Sequence, residues 1–177
     1  MKSLKSKQLG IWFALIAEIL LLTILTSSID GESGFESTFL NWTNLSQVIR
    51  ALSFIAIMAV GQSVVIITGG IDLGVGSMMG LTGVVTAWLL TQGVGIVPAM
   101  VLALFAGLAG GFANGMLITQ MKLPPFIVTL GMMSIARGLA FAITGGETIR
   151  SLPKEFLEIG QGELLNIPLP ILVMVLF

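Results

Sequence analysis

The chain has 177 residues, of which 55% are hydrophobic and 10% are charged, whereas soluble domains carry about 25% charged residues. This composition, with a mean hydropathy of +1.04, excludes a water-soluble domain and indicates a protein that lipid covers. The net charge of −1 excludes a basic face for nucleic acid, and the absence of Cys and His excludes disulfides and zinc sites built on those residues.

Five apolar stretches approach the length of about 20 residues that a helix needs to cross a membrane. They cover residues 9–26, 48–67, 75–90, 96–119 and 126–144, and a sixth apolar run begins near Ile167 and stops at Phe177. We therefore predict an all-α, polytopic bundle of five full spans and a truncated sixth. It forms one transmembrane domain over residues 1–177.

Charged residues outside the spans predict the orientation, because cytoplasmic loops carry an excess of Lys and Arg. Lys2, Lys5 and Lys7 precede the first span, which places the N-terminus in the cytoplasm. The loop after that span is acidic and faces outward. Alternation then puts Lys122 inside and the loop 145–166, where acids outnumber bases, outside.

Two features of the chain ends have alternative interpretations. The first span resembles a signal peptide, but its apolar run is long and lacks a clear cleavage site, so we favour a retained helix. The sixth run would reach only about 16 Å as a helix, which leaves its last carbonyls unsatisfied in lipid. We therefore expect the natural protein to continue, so that this chain is C-terminally incomplete.

A glycine-containing break separates the second and third spans. Gly69 and Gly70 follow Thr68, and Asp72 precedes the helix in which Ser77 lies. Transporters use broken helices at binding sites, so the break is a candidate translocation path or gating hinge. The alternative is an ordinary cytoplasmic turn in which Asp72 caps the helix starting near Leu73, by accepting from the N–H of Gly74 or Val75.

Small residues recur at four-residue spacing in the third and fourth spans. This spacing puts glycines on one helix face, where a neighbouring helix can approach closely, and predicts packing at Gly76, Gly80, Gly107, Gly111 and Gly115. Asn114 lies beside this face. A hydrogen bond across helices is the favoured interpretation for Asn114, and a position in the translocation path is the alternative.

Ionisable residues within spans are rare and are functional hypotheses by default. Glu18 lies midway along the first span and Arg137 lies in the fifth. For both residues a structural role, including pairing with each other or with Asp72, is the favoured interpretation, and contact with a transported solute is the alternative. No nucleophile–base pair, phosphate-binding loop or intramembrane metal cluster is recognisable, so we expect no catalysis and no cofactor.

Several blocks of the sequence resemble one known family, the ribose-type sugar permeases, which are membrane subunits of bacterial ATP-binding-cassette importers. The first block, AVGQSVVIITGGIDLGVGS, spans residues 59–77. The next are LPPFIVTLG at 123–131 and IARGL at 135–139, which contains Arg137. Shorter blocks at 115–119, 143–146, 159–162 and 167–170 keep the family's order.

The resemblance implies a non-enzymatic permease subunit in the bacterial inner membrane that translocates a monosaccharide such as ribose. It implies three partners besides the bilayer: a cytoplasmic ATP-binding subunit, an external solute-binding protein and a second permease subunit. Family permeases are longer and this chain ends near their midpoint. Related permeases carry other small solutes, such as amino acids, nucleosides or signalling sugars, and a non-transporting membrane subunit is a further alternative.

Overall fold

The computed structural model describes residues 2–30, 34–164 and 167–176 of the chain. Contacts divide the chain into two compact units, Met1–Leu52 and Ser53–Phe177. The boundary falls within a long helix.

The first unit consists of a helix, a hairpin and the start of a second helix. Helix α1 spans Lys2–Leu25 and is followed by strands β1 (Ser27–Asp30) and β2 (Gly34–Ser37), which pair antiparallel with Ser27 opposite Ser37. Helix α2 spans Trp42–Ile67. Asn41 caps it, since its side-chain oxygen accepts a bond from the N–H of Thr43 at 3.1 Å.

The second unit contains the end of α2 and the rest of the chain. Helices α3 (Val75–Thr91), α4 (Ile96–Thr119) and α5 (Pro125–Thr144) are followed by a short helix α6 (Lys154–Gln161). Strands β3 (Glu163–Leu164) and β4 (Ile167–Pro168) form a second antiparallel hairpin, and helix α7 spans Leu169–Leu176.

Helix α3 packs against both α4 and α5, and small residues allow the close approach. Ala99 and Ala136 are fully buried. A Cβ added at Gly107 of α4 would lie 3.2 Å from the Thr82 methyl of α3. A Cβ added at Gly110 would overlap the Met78 side chain. Gly110 comes after Gly107 whereas Met78 comes before Thr82, so α3 and α4 run antiparallel.

Helices α3 and α5 run parallel. At the start of α3, a Cβ added at Gly74 would lie 3.3 Å from the carbonyl oxygen of Thr129. Further along both helices, Arg137 bonds to Ser77. The turn before α3 and the turn before α5 therefore lie at the same end of the unit.

The long helices present apolar side chains outward. Among the described residues, three helices are long and apolar enough to cross a membrane, namely Trp42–Ile67, Ile96–Thr119 and Pro125–Thr144. Their most apolar windows have mean hydropathies of 1.9, 2.1 and 1.8, yet only 6%, 11% and 17% of those residues are buried. Lipid or another protein surface must cover such faces, because water does not solvate them favourably.

The prediction of a helical membrane protein is confirmed, with corrections in detail. Helices α1 to α5 match the five predicted stretches within a few residues, except that α1 and α2 begin earlier. The described apolar part of α1, Leu9–Leu25, and helix α3 are shorter than the three long candidates. The count of five full spans is therefore still a prediction.

The loop predicted at 145–166 contains structure that hydropathy did not indicate. Helix α6 is amphipathic, with Lys154, Glu155 and Glu158 interrupting its apolar residues, so it lacks the continuous apolar run of a span. The predicted sixth run begins as a strand at Ile167 and becomes helix α7 only at Leu169. Its last residue, Phe177, lies outside the described residues.

Candidate functional site

The break between α2 and α3 is an ordered linker, residues 68–74. Helix α2 ends at Ile67, and Gly69, two residues later, has a φ of +78°. The Gly69 N–H donates to the Ile66 carbonyl at 2.9 Å and the Gly70 N–H to the Val65 carbonyl at 2.9 Å. These two bonds form a Schellman motif, which satisfies the last carbonyls of the helix and favours glycine at the left-handed position.

The Thr68 hydroxyl stays within its own helix end. It donates to the Val65 carbonyl at 2.8 Å. Thr68 and Gly69 are exposed and Gly70 is half-buried. The predicted hinge residues therefore form a helix terminus whose backbone bonds are local.

Asp72 holds the start of α3, although not as its helix cap. Its Oδ1 accepts a bond from the Gly74 N–H at 2.7 Å, which is one of the two bonds predicted. Helix α3 begins at Val75 rather than near Leu73, and its capping position is Gly74, which has no side-chain cap bond. The interaction is therefore an Asx turn ahead of the helix, because the bond closes two residues after Asp72 and before the helix begins.

Two side chains from other helices clamp the linker. The Leu73 N–H donates to the Thr129 hydroxyl oxygen at 3.2 Å. The same oxygen lies 3.2 Å from the Ile71 carbonyl and 2.9 Å from the Pro125 carbonyl, either of which can accept its proton. The Gln62 side chain donates to the Asp72 carbonyl at 2.9 Å. Thr129 is 3% exposed, so the linker is bonded to the interior of α5.

The linker lies alongside the first turns of α5 rather than beyond its end. The Leu73 N–H bonds at Thr129, and Gly74 approaches the backbone of Met133. Thr129 is four residues and Met133 eight residues into a helix that begins at Pro125, which places them about 6 and 12 Å along the helix axis. The start of α3 therefore packs against the side of α5, beyond the first turn of that helix.

Arg137 and Ser77 meet in a groove between α3 and α5. The Arg137 Nε–H donates to the Ser77 hydroxyl oxygen at 3.1 Å. The groove has a volume of about 340 Å³ and is lined by Leu73, Gly76, Ser77, Gly80, Leu81, Val84, Arg137 and Ala140. Two of the residues predicted for a translocation path, Ser77 and Arg137, are thus brought together.

The groove is polar only where Ser77 and Arg137 lie. Neither Arg137 nor Asp72 forms an ion pair with any described residue. Glu18, the other ionisable residue within a predicted span, lies exposed on α1 in the first unit. A guanidinium with donors to spare can bind oxygen atoms of a solute in this groove.

Asn114 lies on α4, four positions after Gly110, and does not line the Arg137 groove. Its side chain is 8% exposed, and within the described parts of the chain its Oδ1 has no hydrogen-bond partner. The predicted bond across helices is not formed to any of those residues.

The five glycines predicted for packing have different surroundings. At Gly107, an added Cβ would lie 3.2 Å from the Thr82 methyl of α3, so this glycine permits close packing. A Cβ added to any of the other four would meet no described atom within 4 Å. Helix packing therefore stays a prediction at Gly76, Gly80, Gly111 and Gly115. It would require a surface that is not among the described residues.

No pattern in the sequence indicated a role for Thr129 or Gln62. Both lie inside the blocks that resemble the sugar permeases. An isolated threonine or glutamine in an apolar helix is a weak signal, because most such hydroxyls bond to their own helix. The available signal was a polar side chain in an apolar helix close to a predicted turn.

The chain matches the family model described as branched-chain amino acid transport system / permease component over residues 44–177. It is 35% identical to the ribose import permease protein of Bacillus subtilis over 96% of this chain and 50% of that protein. It is 37% identical to the galactofuranose transporter permease protein of Escherichia coli over 69% of this chain and 36% of that protein.

A further relative is the autoinducer 2 import system permease protein of Yersinia enterocolitica. It is 32% identical over 80% of this chain and 39% of that protein. This chain therefore spans half or less of the curated relatives it matches. No solved structure matches the chain significantly.

The matched region contains the linker, the Thr129 clamp and the Arg137 groove. It also contains two of the three membrane-span candidates, Ile96–Thr119 and Pro125–Thr144, and all but the first two residues of the third, Trp42–Ile67. The chain is a multi-pass protein of the bacterial inner membrane, and it belongs to the family of permease components described for branched-chain amino acid transport systems.

Proposed function

We propose that this chain is part of the permease subunit of an ATP-driven importer that carries a monosaccharide such as ribose across the inner membrane. The observation that carries the proposal is the 35% identity to a ribose import permease over 96% of the chain. The proposed partners are a cytoplasmic ATP-binding subunit, an external solute-binding protein and a second permease subunit.

The geometry supports a translocation path on the α3–α5 side of the unit. The linker interrupts the helical backbone beside α5, and the groove next to it contains the Arg137–Ser77 pair. In transporters, solutes bind near broken helices. Thr68, Gly69, Gly70 and Asp72 form the proposed hinge beside this path, and Asn114 is proposed to contact the path from α4.

We further propose that helices α1 to α5 all cross the membrane, as one permease domain, with the N-terminus in the cytoplasm. The structure supports this orientation at one point. The linker and the turn containing Lys122 lie at the same end of the second unit, as the alternation of loops requires.

Another small solute is the alternative substrate. The matching family model is described for branched-chain amino acids, and relatives are named for galactofuranose and autoinducer 2. A uniform fold does not decide between them. Ribose and galactofuranose are both monosaccharides, and the ribose permease matches over more of this chain than the other two relatives, so these matches favour a monosaccharide over an amino acid and ribose as its example.

Affinity purification from native membranes tests whether the chain acts in an ATP-driven importer. With an epitope tag added at the gene's own locus, we expect a protein that hydrolyses ATP to co-purify. A permease subunit requires that motor, whereas a non-transporting membrane subunit does not. Recovery of the tagged chain without any ATP-hydrolysing protein, under conditions that preserve a control importer complex, would contradict the proposal.

A further inference from the structure

Arg137 is a cation within an apolar helix, and it is only partly satisfied. Pro125 begins α5 and Arg137 lies twelve residues later, which is about 18 Å along the helix axis. This is near the middle of a hydrocarbon core about 30 Å thick. Intramembrane arginines face cavities or partners because exposure of the charge to lipid is costly.

Among the described residues, the one hydrogen bond of the guanidinium is its Nε bond to Ser77. A guanidinium has five N–H donors in a fixed, planar fork. The bond at Nε therefore orients the plane and leaves the four donors on the two terminal nitrogens. Adjacent hydroxyl oxygens on a small ring have a spacing that two such parallel donors can match.

The groove has room for such a ring. Its volume of about 340 Å³ lies in the range of small-molecule sites, about 300 to 1,000 Å³. Gly76 and Gly80 form part of its wall, and an added Cβ at either would meet no described atom. The bare backbone there leaves a solute free to approach α3 closely.

Charge in this region favours an uncharged solute over an anion. The Asp72 carboxylate bonds at Gly74, and the Arg137 guanidinium bonds at Ser77, one turn later. Opposite charges thus lie at either side of the first turn of α3. A neutral polyol leaves the summed charge of these two groups at zero, whereas an anionic solute would add a second negative charge to the region that contains the Asp72 carboxylate.

We propose that Arg137 contacts the transported solute, donating from its terminal nitrogens to two neighbouring hydroxyl oxygens of a monosaccharide, and that Ser77 is the positioning residue that orients the guanidinium. This inference rests on the proposed function, and it adds a recognition residue and the chemical group that is recognised.

The test uses uptake of labelled ribose and of single-deoxy ribose analogues by cells carrying variants at the gene's own locus. Arg137→Gln should lower ribose uptake at least tenfold, because hydrogen bonds from a charged donor are lost. In the wild type, the analogue that lacks a contacted hydroxyl should be taken up far less than ribose. That discrimination should collapse in Arg137→Gln, since the donors it depends on are gone.

Ser77→Ala should raise the KM for ribose threefold or more while the maximal rate is largely kept, because the guanidinium remains but is less well oriented. Arg137→Lys should behave like Arg137→Gln for the deoxy analogues, since an ammonium lacks the planar fork. Membrane levels of every variant are compared by immunoblot, so that loss of protein is not mistaken for loss of binding.

Two matched control variants remove the same chemical groups, a guanidinium and a hydroxyl, at positions that do not line the groove. Arg150→Gln removes an exposed guanidinium after α5. Ser134→Ala removes a hydroxyl that bonds to Leu130 of its own helix. Both should retain wild-type uptake and wild-type discrimination.

The outcomes separate the two claims. If wild-type cells take up ribose but all analogue ratios are the same in Arg137→Gln as in the wild type, the assignment of Arg137 is wrong while the proposed function stands. If deletion of the gene leaves uptake of every monosaccharide unchanged, the proposed function fails and the assignment fails with it.

Discussion

Single polar atoms hold the linker between α2 and α3 in place. The Asp72 carboxylate accepts a bond from the Gly74 N–H at the end of the linker. The Thr129 hydroxyl accepts a bond from the Leu73 N–H, although the two residues are 56 positions apart in the sequence. The sequence singled out Asp72, Ser77 and Arg137 as candidates, because charges and glycine breaks in apolar segments are conspicuous, and their roles in transport stay predictions. It did not predict Thr129, because the role of that hydroxyl depends on a contact between distant segments.

Thr129→Val tests the clamp, since valine keeps the shape and removes the hydroxyl. The Leu73 N–H then loses its acceptor, and we expect a loss of about 1 kcal/mol in the free energy of unfolding. Thermal unfolding in detergent measures the loss as a lowered Tm, and hydrogen exchange at the Leu73 amide should become faster.

The control for Thr129→Val is Thr119→Val at the end of α4. The Thr119 hydroxyl is exposed and bonds to Gly115 of its own helix. It should leave both Tm and the Leu73 exchange rate near the wild-type values. A clamp of no importance would instead make the two valine variants indistinguishable.

Helices were predictable to the extent that they carry one continuous apolar run. Helices α4 and α5 match their predicted stretches almost residue for residue. Helix α6 was missed because only eight residues, with charges among them, form it. The hairpins were missed because their strands are short and their pairing depends on contacts between segments rather than on hydropathy. Helix α3 has 17 residues, so its crossing requires a direct test.

Cysteine labelling tests which helices cross the membrane. The chain contains no Cys, so single cysteines give an unambiguous signal. In intact cells or spheroplasts, an impermeant maleimide should label Gln92→Cys after α3 and Thr148→Cys after α5. It should label Met121→Cys, before α5, only once the membrane is permeabilised.

The pattern of labelling distinguishes the alternatives. Equal labelling of Gln92→Cys and Met121→Cys in intact cells would mean that α4 does not cross, and the proposed arrangement of spans would be wrong. A complete reversal would leave the spans in place and invert the orientation.

At the scale of the whole molecule, the described surface is one that lipid or other protein must cover. Apolar side chains cover the long helices, and the glycine positions Gly76, Gly80, Gly111 and Gly115 are open. The chain also spans only half of the ribose permease it resembles. Composition predicted the apolar surface, whereas no local pattern in the sequence identifies what covers it, because that depends on segments or subunits packed against it.

The most direct measurement of the central claim is uptake of labelled ribose before and after in-frame deletion of the gene, with and without a wild-type copy supplied in trans. The proposed permease predicts that deletion lowers ribose uptake at least tenfold, that the copy restores it, and that leucine uptake is unaffected. Unchanged ribose uptake in the deletion strain, or loss of leucine uptake instead, would contradict the assignment of this chain to monosaccharide import.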